Sequence, residues 1–365
     1  MNRGVDVAGP ITLAVLLALP IGVCFMTSPS QIPPDPFIFA VKSEDVSWAL
    51  DQTTVDATLA VPDCPGRYPG VVLIAGSGPT DRNWESPLLP GTNGSGRLLA
   101  EALVSSGYVT IRYDKRASGP NAVENMVILS GQISLESHFD ELKGAVSHLL
   151  KRSDVDPGRL FALTSSEGAI HVLYYQAHPD VVPFAGMILT GAPGRALSDV
   201  ANSQIVSLLA RQPDSDDLIS RYHALILRFE KGLPFTPDPG LPDVANNLVA
   251  SLNAPVNQPF SKEFWSFKPA DYIRNTTVPV LVVIGKKDIQ TDWRLDGGAL
   301  EEASQGMANV FFCYPENANH VLKHEPRPRE ELTAEAATSA YNTAEASLDD
   351  ETLKIILEWL RRQSS

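Results

Sequence analysis

Apolar residues in this chain gather into short runs of two kinds. Val71–Ala75 (VVLIA), Leu160–Leu163, Met187–Thr190, Val278–Ile284 and Val310–Tyr314 are nearly continuous, and Val109–Tyr113 (VTIRY) is a short mixed run. They predict strands, and the wholly apolar Val71–Ala75 predicts one buried on both faces. Between them lie segments with helical spacing. Leu98–Ser106 is closed by Gly107. From Ser134 to Lys151, Leu135, Phe139, Leu142, Val146 and Leu149 recur on one face behind a Ser134 cap. Ala169–Gln176 and Thr352–Leu360 complete the set. Val46–Leu50 and Thr54–Val61 alternate around Asp51-Gln52-Thr53 and predict a β-hairpin. Asp154-Val155-Asp156-Pro157-Gly158 predicts a turn. Strands alternating with helices imply an α/β domain, with a mostly parallel sheet covered on both faces.

Two stretches break the alternation. Residues 196–270 show helical periods (Ile205, Leu208, Leu209; Tyr222, Leu225, Ile226, Phe229) and turn clusters but no strand pattern. They are expected to form a helical cap inserted into a core made of residues 41–195 and 271–365. Residues 7–26 are almost wholly apolar and uncharged, with Arg3 before them and Pro10 and Pro20 inside. A run of this length suits a signal peptide or an N-terminal membrane anchor within residues 1–26. Val23 before Cys24 makes a poor lipobox. Residues 27–40 are proline-rich and read as a linker. An exported or membrane-anchored protein, with its folded domain outside the cytoplasm, is the expectation.

Charge narrows the partners. The chain has 365 residues and a formal net charge of −14. An acidic surface repels phosphate backbones, which argues against nucleic acid as a partner. Cys24, Cys64 and Cys313 form no C-x-x-C pair, and Cys64 and Cys313 are expected to be free. There is no H-E-x-x-H metal motif and no dinucleotide fingerprint, so no metal or cofactor is expected.

The chemistry centres on Thr164-Ser165-Ser166-Glu167-Gly168. An apolar run ends on a small-x-Ser-x-Gly turn and a helical pattern starts at once. That is the form of a nucleophile elbow, a tight strand-to-helix turn that exposes a serine hydroxyl above a helix N-terminus. The turn needs small residues two before and two after the nucleophile. Ser166 has Thr164 and Gly168 there, whereas Ser165 would have Leu163 and Glu167. Ser166 is therefore the candidate, with β-branched Thr164 a departure from the usual glycine.

A serine hydroxyl needs a histidine to take its proton and a carboxylate to hold that histidine. In an open α/β sheet such groups sit past the carboxyl ends of strands. Asp288 follows Val278–Ile284 by a short turn, and His320 lies on the loop after Val310–Tyr314. The order Ser, Asp, His matches that of α/β-hydrolases. Asp292 and Asp296 are rival acids farther past the strand, and His324 is the rival base. His138, His148, His171, His178 and His223 fall on helices or their ends and are read as structural or solvated. An oxyanion hole also needs two backbone N–H groups. Glu167 offers one, and Ser77 in the glycine-rich loop Ala75–Arg82 offers the other.

GSGPTDRN, IRYDKRASG, TSSEGA, LTGAPGR, VIGKKDIQ and NANHVLK occur in this order. As a set they resemble the serine-dependent α/β-hydrolases of esterase and serine-aminopeptidase type, over Val46 to Arg362. The resemblance implies an α/β-hydrolase fold with Ser166 as nucleophile, Asp288 as acid, His320 as base, and Ser77 and Glu167 as oxyanion donors. Besides Thr164, the chain departs from the family at Ser165, where histidine is common, and at Ala117, where glycine is usual. The expected activity is hydrolysis of a small-molecule ester or acyl substrate through an acyl-enzyme. An aminopeptidase is the alternative; it would need an acid in the cap, for which Glu230, Asp216 and Asp217 are weak candidates. A hydrolase-fold protein that only binds is a further one. Phe260, Phe264, Trp265 and Phe267 in the cap are read mainly as packing, with some available to line an acyl pocket.

Overall fold

The computed structural model describes residues 38–364. The apolar run at 7–26 and most of the linker lie outside the described residues. Eight strands, β1 (Val41–Leu50), β2 (Thr53–Pro62), β3 (Tyr68–Ile74), β4 (Val109–Tyr113), β5 (Val155–Ser165), β6 (Gly186–Thr190), β7 (Val280–Val283) and β8 (Val310–Cys313), form one sheet in the order β1-β2-β4-β3-β5-β6-β7-β8. The hairpin β1–β2 joins β4 antiparallel, and every pair from β4 through β8 is parallel. Crossover connections put the carboxyl ends of β3 to β8 along one edge of the sheet.

The continuous apolar runs serve both faces, as pleating requires. Val72 and Ile74 point into one core cluster, Val71 and Leu73 into the other; Val280 and Val282 alternate with Leu281 and Val283 in the same way. One face is covered by α3 (Leu135–Leu150) and α4 (Gly168–Gln176), the other by α1 (Ser95–Ser105) and α12 (Asp350–Ser364). Ser134 caps α3 as expected, its side chain accepting from the Ser137 N–H. Two further helices lie in segments for which no helix was expected: α2 (Ala122–Leu129) and α10 (Leu295–Ala303).

The turn expected at residues 154–158 is corrected. β5 already starts at Val155, which pairs with Tyr68, and Asp156 pairs with Pro69. The ladder then jumps to Gly70 opposite Leu160. The Asp156 side chain accepts from the Gly158 N–H at 3.0 Å, so the turn is held as a bulge inside the strand.

Between β6 and β7 run α5 (Leu197–Leu209), α6 (Ser215–Glu230), α7 (Asp243–Asn253), α8 (Phe260–Ser266) and α9 (Pro269–Ile273). α5 to α8 share an apolar core of their own, including Leu209, Tyr222, Phe229, Leu252 and Trp265, whereas Ile273 of α9 belongs to the main core. α8 meets the α3 N-terminus through Phe260 N–H donating to Ile133 O (2.8 Å) and Leu135 N–H donating to the Glu263 carboxylate (2.7 Å). Short α11 (Ala334–Thr338) lies in the long connection between β8 and α12.

Candidate active site

Ser165 still belongs to the β5 ladder, opposite Thr190. Ser166 is the first residue beyond it and has φ 51°, the left-handed region that L-residues avoid. Such strain persists only where the surroundings impose it. Here the Ser166 N–H donates to Thr190 O at 2.8 Å. α4 starts two residues later at Gly168. A methyl group on Gly168 would stand 2.6 Å from Ile74 O and 2.9 Å from Ala75 O, so only glycine lets the elbow pass under the end of β3. Thr164 disturbs none of this. It is fully buried in the ladder between Ile74 and Leu189, where a β-branched residue is at ease. Its hydroxyl donates to Ile188 O at 3.2 Å, and the Thr190 hydroxyl donates to Thr164 O at 2.6 Å. The strain falls on Ser166 alone.

Asp288 and His320 meet past the next two strand ends. His320 Nδ1 lies 2.8 Å from Asp288 Oδ2. Asp288 is fully buried, and its Oδ1 accepts from the Gln290 and Thr291 N–H groups at 2.8 and 2.9 Å. Both carboxylate oxygens are therefore occupied and the ring orientation is fixed. The ring packs on Gly191, where an added methyl would lie 3.2 Å from Cε1. Gly191 directly follows Thr190, the residue that holds the Ser166 backbone. Ser166 and His320 thus flank one strand end. Among the described residues the Ser166 hydroxyl makes no hydrogen bond, and it is partly exposed.

The rivals are engaged elsewhere. Asp292 pairs with Arg329 at 2.9 Å. Asp296 pairs with Arg195 at 2.9 Å and caps the Gly194–Arg195 turn. His324 is half exposed and faces Asp349 at 3.3 Å.

The loop after β3 lies against the elbow: a methyl on Gly76 would stand 3.3 Å from Ser166 Cβ. Gly78, at φ 71°, turns the chain away. The backbone N–H groups of Ser77 and Glu167 have no acceptor among the described residues, leaving two unpaired donors beside Ser166. The motif residues after β4 brace this loop. Asp114 accepts from Arg82 Nε at 2.9 Å. Lys115 Nζ donates to Gly76 O at 2.5 Å and lies 3.3 Å from Glu167 Oε1.

Glu167 opens a buried polar chain that the sequence reading left out. Its carboxylate also meets His171 Nε2 at 3.0 Å. The His171 ring packs on His138, centroids 4.4 Å apart, and His138 Nδ1 lies 2.9 Å from Glu141. Glu141 in turn accepts from Arg116 Nε at 3.0 Å. Both histidines are buried rather than solvated. Burial alone would raise the Glu167 carboxyl, but Lys115 and His171 outweigh it and hold it well below the usual range. Burial lowers His171 to about 4, with the neighbouring His138 adding to the effect. Ligand-type atoms of His138, Glu167 and His171 lie within 4.8 Å of one another. The Lys115 ammonium supplies a positive charge at this carboxylate, 3.3 Å away.

A pH dependence of stability follows. In the unfolded chain His171 titrates near 6.5, in the fold near 4. Between these values the unfolded state binds the proton and the folded state does not. Stability is therefore full above pH 6.5 and declines as pH falls toward 4, by about 3 kcal/mol for this group. Urea unfolding at pH 7, 5.5 and 4.5 should show the decline, and His171→Phe should flatten it. An unchanged slope in that variant would place the dependence elsewhere.

The cap aromatics are mostly packing. Trp265 lies in the cap core and its Nε1 donates to Glu230 at 3.1 Å. Phe267 stacks on Tyr272. Phe260 and Phe264 stack on each other, half buried, at the joint between α8 and α3. A cavity of about 350 Å³ lined by Leu173, Gln176, Met187 and Tyr272 lies at the far end of α4 from Ser166. Among the described residues Cys64 and Cys313 form no disulfide. No helix among the described residues is long and apolar enough to cross a membrane.

No protein-family model matches the chain. It is 26% identical over 272 residues to esterase EstD of Thermotoga maritima, a match covering 72% of this chain and 57% of that protein. The chain thus spans little more than half of that relative's length. Among solved structures it is similar to Est1E from Butyrivibrio proteoclasticus (TM-score 0.52, 14% identity, 87% of this chain and 98% of that one). It is also similar to an esterase of Pyrococcus furiosus (0.50, 15%, 93% and 96%) and to a proline iminopeptidase of Mycobacterium smegmatis (0.50, 14%, 88% and 98%). Sheet order and these likenesses agree on the fold.

Proposed function

From the α/β-hydrolase fold of this chain, we infer that it is a serine hydrolase acting on carboxylic esters. The observation that carries the reading is the Asp288–His320 pair seated on Gly191, one residue past the carbonyl that holds the strained Ser166 turn. With Nδ1 bound to Asp288, the His320 Nε2 is the free basic nitrogen. It takes the Ser166 proton as Oγ attacks the ester carbonyl. The Ser77 and Glu167 N–H groups receive the developing oxyanion, without reorganising, at the moment charge appears. The tetrahedral intermediate collapses, His320 returns the proton to the leaving alcohol, and an acyl-enzyme remains. Water, deprotonated by His320, then releases the acid and regenerates Ser166.

Ester is preferred over peptide because two of the three cap acids weighed for holding an α-amino group are already engaged. Glu230 is tied to Trp265, and Asp217 pairs with Arg221 at 3.4 Å. Asp216 stands exposed on the first turn of α6. The similarity to a protein described as an esterase agrees. Phe260 and Phe264 supply apolar surface for an acyl chain where the cap meets the core, and α5–α8 act as the cap over the crevice. The apolar run at residues 7–26 supports export or membrane anchoring.

A panel of p-nitrophenyl esters from acetate to laurate, run beside aminoacyl p-nitroanilides, tests the reading. Turnover of esters with little or none of the anilides is expected. Aminoacyl anilides hydrolysed faster than every ester would replace it with the aminopeptidase reading.

A further inference from the structure

We propose that Lys115 is a positioning residue for the oxyanion hole, acting through the Gly76–Ser77 peptide and the Glu167 carboxylate. The inference rests on the serine-hydrolase reading above and deepens it. Gly76 C=O and Ser77 N–H belong to one planar peptide group. An ammonium donating to that carbonyl at 2.5 Å fixes the plane of the peptide, and so the direction of its N–H. It also draws electron density toward the oxygen and makes the N–H a stronger donor, an effect that grows in a low-dielectric interior. Lys115 is 4% exposed.

The same ammonium solves a second problem. The other oxyanion donor is the N–H of Glu167, whose own carboxylate is buried nearby. An uncompensated carboxylate there would oppose the negative charge that forms on the substrate. Lys115, 3.3 Å from that carboxylate, cancels it. One side chain thus ties together the two segments that supply the donors, the loop after β3 and the elbow after β5. The sequence places Lys115 to do so, two residues past the end of β4, the strand hydrogen-bonded to β3. The flanking residues of the same motif point elsewhere: Asp114 to Arg82, Arg116 to Glu141.

The role predicts where in the kinetics the loss appears. A group acting only on the oxyanion changes transition-state binding and leaves substrate binding alone. The double variant Lys115→Met/Glu167→Gln removes the pair without stranding a buried charge. Its kcat on p-nitrophenyl butyrate is expected to fall about tenfold to a hundredfold, below the loss for deleting a donor outright, with KM within about twofold. Affinity for an alkyl trifluoromethyl ketone, whose adduct with the serine bears an oxyanion, should weaken by the same factor. In Lys115→Met alone the lone carboxylate should make both losses larger. If that variant does not fold, the double variant decides. Ser166→Ala is assayed in parallel. Activity retained in Ser166→Ala overturns the serine-hydrolase reading itself. An inactive Ser166→Ala beside a folded double variant that keeps wild-type kcat, or that loses activity through KM with ketone affinity unchanged, overturns the role of Lys115 only.

Discussion

Ser166→Ala is expected to fold as well as the wild type and to lose about 10⁴- to 10⁶-fold in kcat for ester hydrolysis. The two halves of this prediction have separate causes. The hydroxyl is partly exposed and makes no hydrogen bond among the described residues, so its removal strands no buried partner. The backbone strain at φ 51° is nearly the same for alanine as for serine. Activity goes because no other hydroxyl sits on the turn: Ser165 is held in the β5 ladder opposite Thr190. Ser166→Gly sharpens the point. Glycine occupies the left-handed region without penalty, so this variant should be more stable than wild type by about 1 kcal/mol while equally inactive. Thermal unfolding beside initial-rate assays checks both. A serine held in a strained conformation at a cost to stability is the mark of a site shaped for function.

Asp288→Asn carries the second large effect, a loss of about 10⁴-fold in kcat near neutral pH. Asparagine can keep its oxygen on the Gln290 and Thr291 N–H groups. Its NH2 then faces His320 Nδ1, which must give up its proton and accept instead. Nε2 becomes the protonated nitrogen and can no longer act as a base. The rivals give the contrast. Asp292→Asn removes a partly exposed pair with Arg329 and should change kcat by no more than a few-fold. Asp296→Asn should chiefly lower the melting temperature, since its buried carboxylate anchors Arg195. Steady-state kinetics on the three variants decide the matter. If Asp292→Asn proved more damaging than Asp288→Asn, the acid would have to be reassigned.

Much of the fold is legible in the sequence because its strands are short apolar runs and its main helices have clean periods. Val71–Ala75, Val109–Tyr113 and Met187–Thr190 need no context to be read. The bulge at Asp156–Gly158 escapes, because a turn held by an aspartate inside a strand has the composition of a turn between elements. Neither α2 nor α10 stands out in the sequence. Val123 and Val127 of α2 are exposed, which breaks the pattern a buried face would give. α10 carries Gly297 and Gly298 in its middle, poor helix formers that tertiary packing overrides.

For the site, order along the chain and position past strand ends bring Ser166, Asp288 and His320 to notice together. Thr164 looks like a flaw only until the left-handed residue is located two positions later. Lys115 and the Glu167–His171–His138–Glu141 chain stay hidden for a different reason. They are side chains from three elements that meet only in space, and the sequence signals are faint. Three charged residues, Asp114-Lys115-Arg116, follow an apolar strand directly. Glu167 and His171 stand four apart and His138 and Glu141 three apart, spacings that share a helical face.

The most direct measurement of the central claim is covalent labelling. A fluorophosphonate reacts with a serine only when a base and an oxyanion hole activate it. Peptide mass spectrometry after labelling should place a single adduct on Ser166, and the adduct should vanish in His320→Ala. An adduct on another serine, or none on the folded wild-type protein, would contradict the account.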